Sequence, residues 1–111
     1  MILVTTKIDA KTFLDHFNNV IKEKLGIDWK LDEDGDYKPE FSDKGWMHPK
    51  VEDDRTIKFC YLQRRDRDIT NHSYSKFHCN LAEVLLRFLD KEMVDLYISP
   101  MLTDDDIYKI R

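Results

Sequence analysis

The amino-acid sequence predicts an α+β fold, a two-layer sandwich in which a mainly antiparallel sheet of about five strands carries two helices on one face. The first observation is that two segments place apolar residues at the three- and four-residue spacing of an amphipathic helix. The second is that other segments alternate apolar and polar residues, as half-buried strands do. The third is a hairpin signal, Asp34 followed by Gly35. The predicted order is β-α-β-β-β-α-β, with a short C-terminal helix.

Size and composition predict one domain over residues 1–111. Of the 111 residues, 41% are hydrophobic and 36% are charged, and the net charge is −4. No apolar run reaches the roughly 20 residues that cross a bilayer, and no secretory leader is recognised. We therefore expect a cytoplasmic protein without a membrane partner. Its two cysteines are expected to be reduced core thiols.

The N-terminal part predicts a strand followed by a helix. Residues 2–7 form an apolar, β-branched run that is typical of a buried strand. Asp9 is the expected N-cap of a helix, and Gly26 stands where a left-handed residue would end it. The apolar positions with helical spacing are Ala10, Phe13, Leu14, Phe17, Ile21 and Leu25.

A hairpin and a loop are expected next. Residues 27–31 alternate as a strand, and the chain would return as a second strand over residues 37–41. A tight primed turn at Asp34 and Gly35 would need positive φ at both residues. Residues 42–54 lack a clear period and are predicted to be a loop that carries Trp46, Met47 and His48.

The second half predicts a strand, a helix, a strand and a short helix. Residues 55–63 alternate with apolar residues on both faces, which indicates an interior strand. Residues 80–92 predict the second helix, with Asn80 as N-cap and Glu83 in a capping box. Residues 93–99 predict the last strand, with Val94, Leu96 and Ile98 inward, and Thr103 would cap the terminal helix. A ferredoxin-like arrangement with an extra strand is the nearest named topology.

The most unusual stretch for function is the basic segment of residues 64–78, predicted to be a long loop or an irregular lead into the second helix. Arginines beside aromatic rings suit nucleic acid, because guanidinium groups bind phosphates while rings stack on bases. The alternative is a solvated loop in which Asp66 and Asp68 neutralise two arginines. The residues of this loop predicted to contact a partner are Arg64, Arg65, Arg67, His72 and Tyr74, and Trp46 with His48 form a second predicted patch.

Metal and cofactor motifs are absent from the sequence. His72, His78, Cys60 and Cys79 lack the tight pairs of a zinc site. The acidic hairpin around Gly35 lacks the glycine and glutamate spacing of an EF-hand. We therefore expect neither a metal nor a cofactor.

No known catalytic motif is present either. The interpretation that follows is a small non-catalytic protein that binds another protein as an accessory, inhibitory or regulatory factor. The scarcity of alanine is compatible with the AT-rich genome of a phage or mobile element. The alternatives are a nucleic-acid-binding protein that uses residues 64–78, and a small phosphodiester hydrolase that uses His72 and His78.

Overall fold

The computed structural model describes residues 1–24, 26–64, 70–103 and 106–108. These residues contain two α-helices and a 3₁₀ turn: α1 (Ala10–Glu23), α2 (Asn71–Leu89) and Asp90–Glu92. The strands are β1 (Ile2–Thr6), β2 (Trp29–Leu31), β3 (Tyr37–Pro39), β4 (Gly45–Asp53), β5 (Thr56–Gln63), β6 (Met93–Ile98) and β7 (Ile107–Tyr108). Within the described residues, no helix is long and apolar enough to span a bilayer.

The sheet is larger than the sequence predicts. Its strand order is β2-β3-β4-β5-β1-β6, and all neighbours on this path are antiparallel. The short β7 pairs parallel with β5. The α+β class, the mainly antiparallel sheet and the two helices are confirmed, whereas the expected five strands are replaced by a six-strand path with β7 added.

Both helices pack against the same face of the sheet. The Phe17 ring of α1 lies 5.0 Å from the Tyr37 ring and 5.6 Å from the Phe59 ring, measured between centroids. The Phe77 ring of α2 lies 5.1 Å from the Tyr61 ring. All five rings are fully buried, and burying one phenylalanine side chain contributes about 1.5–3 kcal/mol. This layer is the core.

Helix α1 follows its sequence signals. The Asp9 carboxylate accepts a hydrogen bond from the Thr12 backbone N–H, as an N-cap does. Gly26 follows with φ of +78°, in the left-handed region that favours glycine. The N-cap confirms the predicted start of the helix, whereas α1 ends at Glu23 with Lys24 as an extended C-cap, before the predicted stop at Gly26.

The prediction of a loop over residues 42–54 is wrong, because β4 forms there. It pairs with β5 along its length: Gly45 lies opposite Gln63, Lys50 lies opposite Lys58, and the pairing continues towards the turn between the two strands. The Arg64 N–H donates to the Lys44 carbonyl, so these two residues form a hydrogen-bonded pair of the ladder. Because hydrogen-bonded and non-hydrogen-bonded pairs alternate along an antiparallel ladder, Pro49 falls at a position that is not hydrogen-bonded to β5. The proline nitrogen therefore points away from β5, where no described strand pairs with it.

The second helix begins nine residues before the predicted N-cap, Asn80. The true N-cap is Thr70, whose side chain accepts from the Ser73 N–H at 3.1 Å. Asn80 instead accepts a hydrogen bond from Trp29 Nε1 at 2.8 Å. The expectation of a loop up to residue 78 is therefore wrong from residue 71 onward. Cys60 is buried as expected, but Cys79 is exposed on α2.

The β2–β3 hairpin forms, but with a longer turn than predicted. Gly35 has φ of +80°, whereas Asp34 does not adopt a positive φ. Asp32 Oδ1 accepts from the N–H groups of Asp34 and Asp36, both at 2.9 Å. This side-chain bridge takes the place of a tight primed turn.

The predicted C-terminal helix is replaced in the described residues by β7, while residues 104, 105 and 109–111 lie outside them. Ile107 pairs with Leu62 of β5. Ile2, the first residue of β1, pairs with Phe59 of the same strand. Strands β1 and β7 therefore meet end to end beside β5.

Strand β6 occupies one edge of the sheet. Leu96 and Ile98 are partly buried against the core, but Val94 is 60% exposed, contrary to the prediction. The register between β1 and β6 shifts at Thr5 and Thr6. This irregularity takes Val94 out of the inward alternation.

Candidate functional site

A cleft at the start of α2 brings basic, hydroxyl and aromatic side chains together. Its volume is about 200 Å³. We call it the α2 cleft, and its lining residues are Phe41, Ser42, Lys44, His72, Ser73, Lys76 and Phe77. They come from the segment between β3 and β4 and from the first turns of α2.

Capping of α2 fixes one wall of the α2 cleft. Thr70 Oγ1 accepts from the Ser73 N–H and donates to Ser73 Oγ, and the Tyr74 N–H donates to the Thr70 carbonyl. Lys44 Nζ donates to Ser73 Oγ at 3.2 Å. The capped turn therefore holds the Lys44 ammonium at the positive end of the α2 dipole.

The aromatic ring of Phe41, which packs against the core, forms the base of the α2 cleft. The Phe41 ring packs edge-on against Phe77 at 5.6 Å and Trp29 at 5.7 Å. Lys76 Nζ lies over the Phe41 ring, 4.9 Å from its centroid, in cation–π geometry. The Lys76 ammonium is thus held in the cleft by a ring that cannot move without disturbing the core.

A second, shallower depression shares Phe41 and Ser42 with the α2 cleft. Its volume is about 570 Å³, and its charged lining residues are Lys30, Lys38, Glu40 and Asp43. Lys30 Nζ lies 3.3 Å from Glu40 Oε1. Because both signs of charge line this depression, the concentration of positive charge is in the α2 cleft.

The predicted basic loop contributes unequally. Arg64 is half-buried, and its Nη1 lies 3.7 Å from Asp43 Oδ2. His72 is exposed and lines the α2 cleft. Arg65 and Arg67 lie outside the described residues. Tyr74 is only 6% exposed, so little of its surface faces solvent.

The second predicted patch lies on the sheet face opposite the helices. Trp46 and His48 alternate there with Met47, which faces the core. Trp46 is 8% exposed, whereas the His48 side chain is 44% exposed and its Nδ1 lies 2.6 Å from Asp36 Oδ1. The sheet therefore separates Trp46 and His48 from the α2 cleft.

A buried polar cluster surrounds the junction of β1 and β7. The Met1 ammonium donates to Tyr74 Oη, Ser99 Oγ and His78 Nε2 at 2.8, 3.0 and 2.9 Å, and lies 3.4 Å from Asp106 Oδ2. His78 Nδ1 donates to the Tyr74 carbonyl at 2.7 Å, which fixes the tautomer. Burial, and then the neighbouring ammonium, lower the pKa of His78 to about 4.

The acidic turn between β2 and β3 groups carboxylates as a metal site would, but no other observation supports metal binding there. Carboxylate oxygens of Asp32, Asp34 and Asp36 lie within 4.8 Å of one another. Asp32 bonds the turn backbone and Asp36 bonds His48. These contacts account for the grouping as part of the hairpin.

Six residues of the α2 cleft are not among the predicted contacts: Phe41, Ser42, Lys44, Ser73, Lys76 and Phe77. They lie in two segments more than 25 residues apart, and nothing in their local pattern indicates that they meet. The one sequence signal is the basic and aromatic composition around Lys76, within the stretch that the sequence predicts to be irregular.

Comparison with known proteins identifies no relative: no family model, curated protein or solved structure matches the chain.

Proposed function

We propose that the protein is a small non-catalytic binding protein, an accessory or regulatory factor, whose α2 cleft receives acidic side chains of a partner protein. The observation that carries the proposal is the presence of two lysines, Lys44 and Lys76, in the lining of one concave surface at a helix N-terminus.

The donors in the α2 cleft suit a carboxylate. A lysine ammonium has three N–H donors, and the bond to Ser73 Oγ uses one of those on Lys44. The serine hydroxyls and the His72 ring add shorter-range polar contacts. The start of α2 adds partial positive charge, which favours an anion at this position.

Charge and size favour a protein partner over nucleic acid. A nucleic-acid backbone is bound by basic residues along an extended track. The α2 cleft is small, carboxylates of Glu40 and Asp43 lie beside it, and the chain has a net charge of −4. An acidic segment of a protein needs only the local pair of lysines.

The hydrolase alternative has weaker support. It requires two histidines that reach a substrate. His78 is fully buried and bonded at both ring nitrogens, whereas His72 is exposed. Only one of the two imidazoles therefore faces solvent.

We also infer a ferredoxin-like core with the β2–β3 hairpin inserted between α1 and β4. In support, removing β2, β3 and β7 leaves the chain order β1-α1-β4-β5-α2-β6 and the sheet order β4-β5-β1-β6. Folds of this kind host many functions, so the binding proposal rests on the cleft. We also propose action in the reducing cytoplasm, where proteins carry few disulfides, because the sequence contains only two cysteines.

The proposal is tested by measuring fluorescence anisotropy with a labelled glutamate-rich peptide. We expect the double variant Lys44→Glu/Lys76→Glu to bind it about tenfold more weakly than wild type, because two attractive charge pairs become repulsive. Lys11→Glu, on the exposed start of α1, is the matched control and should bind as wild type does. In lysate, wild type should capture a protein that survives nuclease treatment and that the double variant does not capture.

Two results would overturn this function. Equal weakening by Lys11→Glu would show that only net charge matters. Tighter binding of a labelled single-stranded oligonucleotide, with steep loss of affinity in salt, would move the nucleic-acid alternative to first place.

A further inference from the structure

We propose that β6 pairs antiparallel with β6 of a second copy of this chain, so that two copies form a two-fold dimer with one continuous sheet. This interface uses no residue of the α2 cleft, so it can be tested independently of the proposed function.

Exposed apolar side chains are concentrated at β6 and just after it. The described residues contain five large exposed hydrophobic side chains, and four of them fall within residues 94–102. These four are Val94 (60% exposed), Tyr97 (54%), Met101 (74%) and Leu102 (46%). Asp95 is the only charged residue from 93 to 102, in a chain that is 36% charged. Apolar side chains together with depleted charge are typical of an interface.

The two edges of the sheet differ in how they resist pairing. Strand β2 has three residues and carries the exposed Lys30 at its centre. Short length and an exposed lysine are devices that prevent edge-to-edge contact. Strand β6 has six residues, and its only charge is Asp95. Pairing through β6 alone would stop at two copies, because β2 remains protected.

The backbone of β6 offers complementary groups at two positions. Ser99 N–H donates to the Met1 carbonyl, which marks Tyr97 and Asp95, on the same side of the register shift, as residues of β6 bonded to β1. Leu96 and Ile98 therefore direct their N–H and C=O groups to the outer edge. In a two-fold pair centred on Tyr97, Leu96 of one copy faces Ile98 of the other and four backbone hydrogen bonds form.

Charge selects this register and favours a second copy as the occupant. With Tyr97 at the two-fold axis, Asp95 of each copy lies opposite Ser99. The two carboxylates are then about 13 Å apart along the strands, since each residue rises about 3.3 Å, and this exceeds the screening length of about 8 Å. A register centred on Asp95 would place like charges directly opposite. Centring on Tyr97 also packs the two exposed rings together.

Cysteine cross-linking tests the register directly. Tyr97→Cys, in a Cys79→Ser background, should form a disulfide-linked dimer under mild oxidation. Residues opposite each other at a non-hydrogen-bonded position have Cα atoms about 4.5 Å apart, which suits a disulfide. Lys30→Cys in the same background, on the protected edge, is the control and should stay monomeric on a denaturing gel.

Light scattering during size exclusion measures the assembly itself. At about 100 µM, far above a micromolar Kd, wild type should have twice the chain mass. Tyr97→Lys should have the mass of one chain, while Leu86→Lys, also exposed but on α2, should remain a dimer. A monomeric wild type, a dimer that Tyr97→Lys leaves intact, or equal cross-linking of the two cysteine variants would overturn the proposal.

Discussion

His78 is a histidine that the fold keeps neutral. Its side chain is fully buried, its Nδ1–H donates to a backbone carbonyl, and its Nε2 accepts from an ammonium group. The titratable groups that face it are the Met1 ammonium, the Tyr74 hydroxyl and the Asp106 carboxylate. Protonation would place a second positive charge against the ammonium and remove its acceptor.

The depressed pKa of His78 predicts a loss of stability in mild acid. The unfolded chain protonates this ring near pH 6.5, whereas the folded pKa is about 4. Between these values the unfolded state binds more protons, so the free energy of unfolding falls as the pH falls from 6.5 towards 4. We expect His78 to lower the free energy of unfolding by about 2 kcal/mol between pH 7 and pH 5.

Urea unfolding at the two pH values measures this effect. His78→Gln should show a smaller pH dependence than wild type, even if its stability at pH 7 is lower. His72→Gln removes an exposed histidine and should keep the wild-type pH dependence. If both variants lose stability in acid as wild type does, His78 is not the group that couples protons to unfolding.

At the scale of the element, the two helices show which features of a helix a sequence pattern is sufficient to predict. Helix α1 uses its cap signal, Asp9, but it ends at Glu23, before its stop signal, Gly26. For helix α2 the sequence favours Asn80 as the cap because of the nearby glutamate, whereas the structure uses Thr70. Its buried face begins with Tyr74, Phe77 and His78, which local pattern could not distinguish from aromatic residues of a loop. Only packing against Tyr61 and Trp29 reveals them as core.

The sequence does not predict strand β4, because what makes this segment a strand is its pairing with β5 and not its own residue pattern. Gly45 and Pro49 are residues that break strands, and the alternation between them is poor. The ladder with β5 extends along the whole of β4 nevertheless. A proline is tolerated in a strand only when its nitrogen faces away from the paired strand, and that orientation depends on the register with β5 rather than on the residues around Pro49.

Gly45 gives β4 a test at the same scale. A Cβ atom at this position would overlap the Leu62 carbonyl oxygen and lie 2.7 Å from Tyr61 Oη. Because the obstacle includes backbone, a rotamer change cannot relieve it. We expect Gly45→Ala to lower the free energy of unfolding by about 1–3 kcal/mol, as overpacking does.

Chemical denaturation of Gly45→Ala beside Lys50→Ala measures this close approach. Lys50 is exposed on the same strand and should tolerate alanine within about 0.5 kcal/mol. A neutral Gly45→Ala would mean that β4 and β5 separate at this end without cost, which contradicts a close approach of the two strands at Gly45.

At the scale of the whole molecule, the sequence predicts the arrangement of helices and sheet in two layers better than it predicts which residues form a binding surface. Alternation and helical spacing specify which residues are buried, and these decide the class of fold. A binding surface depends on which distant segments meet. Lys44 and Ser73 meet because α2 is capped over the segment that follows β3, while Tyr74, one residue further, turns into the core. The predicted contacts Arg64 and His72 therefore lie beside or in the cleft, whereas Tyr74 and Trp46 are buried.

The two ends of the described chain meet at one junction, and this makes the sheet continuous. Asp106 Oδ1 accepts from the Tyr61 N–H at 2.6 Å, at the point where β5 passes from β1 to β7. Its other oxygen binds the Thr103 N–H and hydroxyl and faces the Met1 ammonium. The Asp106 side chain is 1% exposed. One carboxylate thus satisfies four donors from three segments.

Removing this carboxylate should weaken the whole fold. Asp106→Ala leaves a buried ammonium without its counter-charge and a buried N–H without its acceptor, and loss of one partner of a buried ion pair costs about 3 kcal/mol or more. Asp15→Ala, which removes an exposed aspartate on α1, is the control and should change the free energy of unfolding by less than about 0.5 kcal/mol.

Hydrogen exchange decides whether the effect is local or global. If the junction couples the chain ends to the core, Asp106→Ala should lower the urea midpoint and speed amide exchange at Tyr61 and also at interior residues of β1 such as Val4. If β7 were an independent flap, exchange would rise at Tyr61 and Thr103 alone while the urea midpoint stayed at the wild-type value. The coupled outcome is expected, because the Asp106 carboxylate, the Met1 ammonium and Ser99 form one buried network. Met1 directly precedes β1, so this network is joined to the core strand.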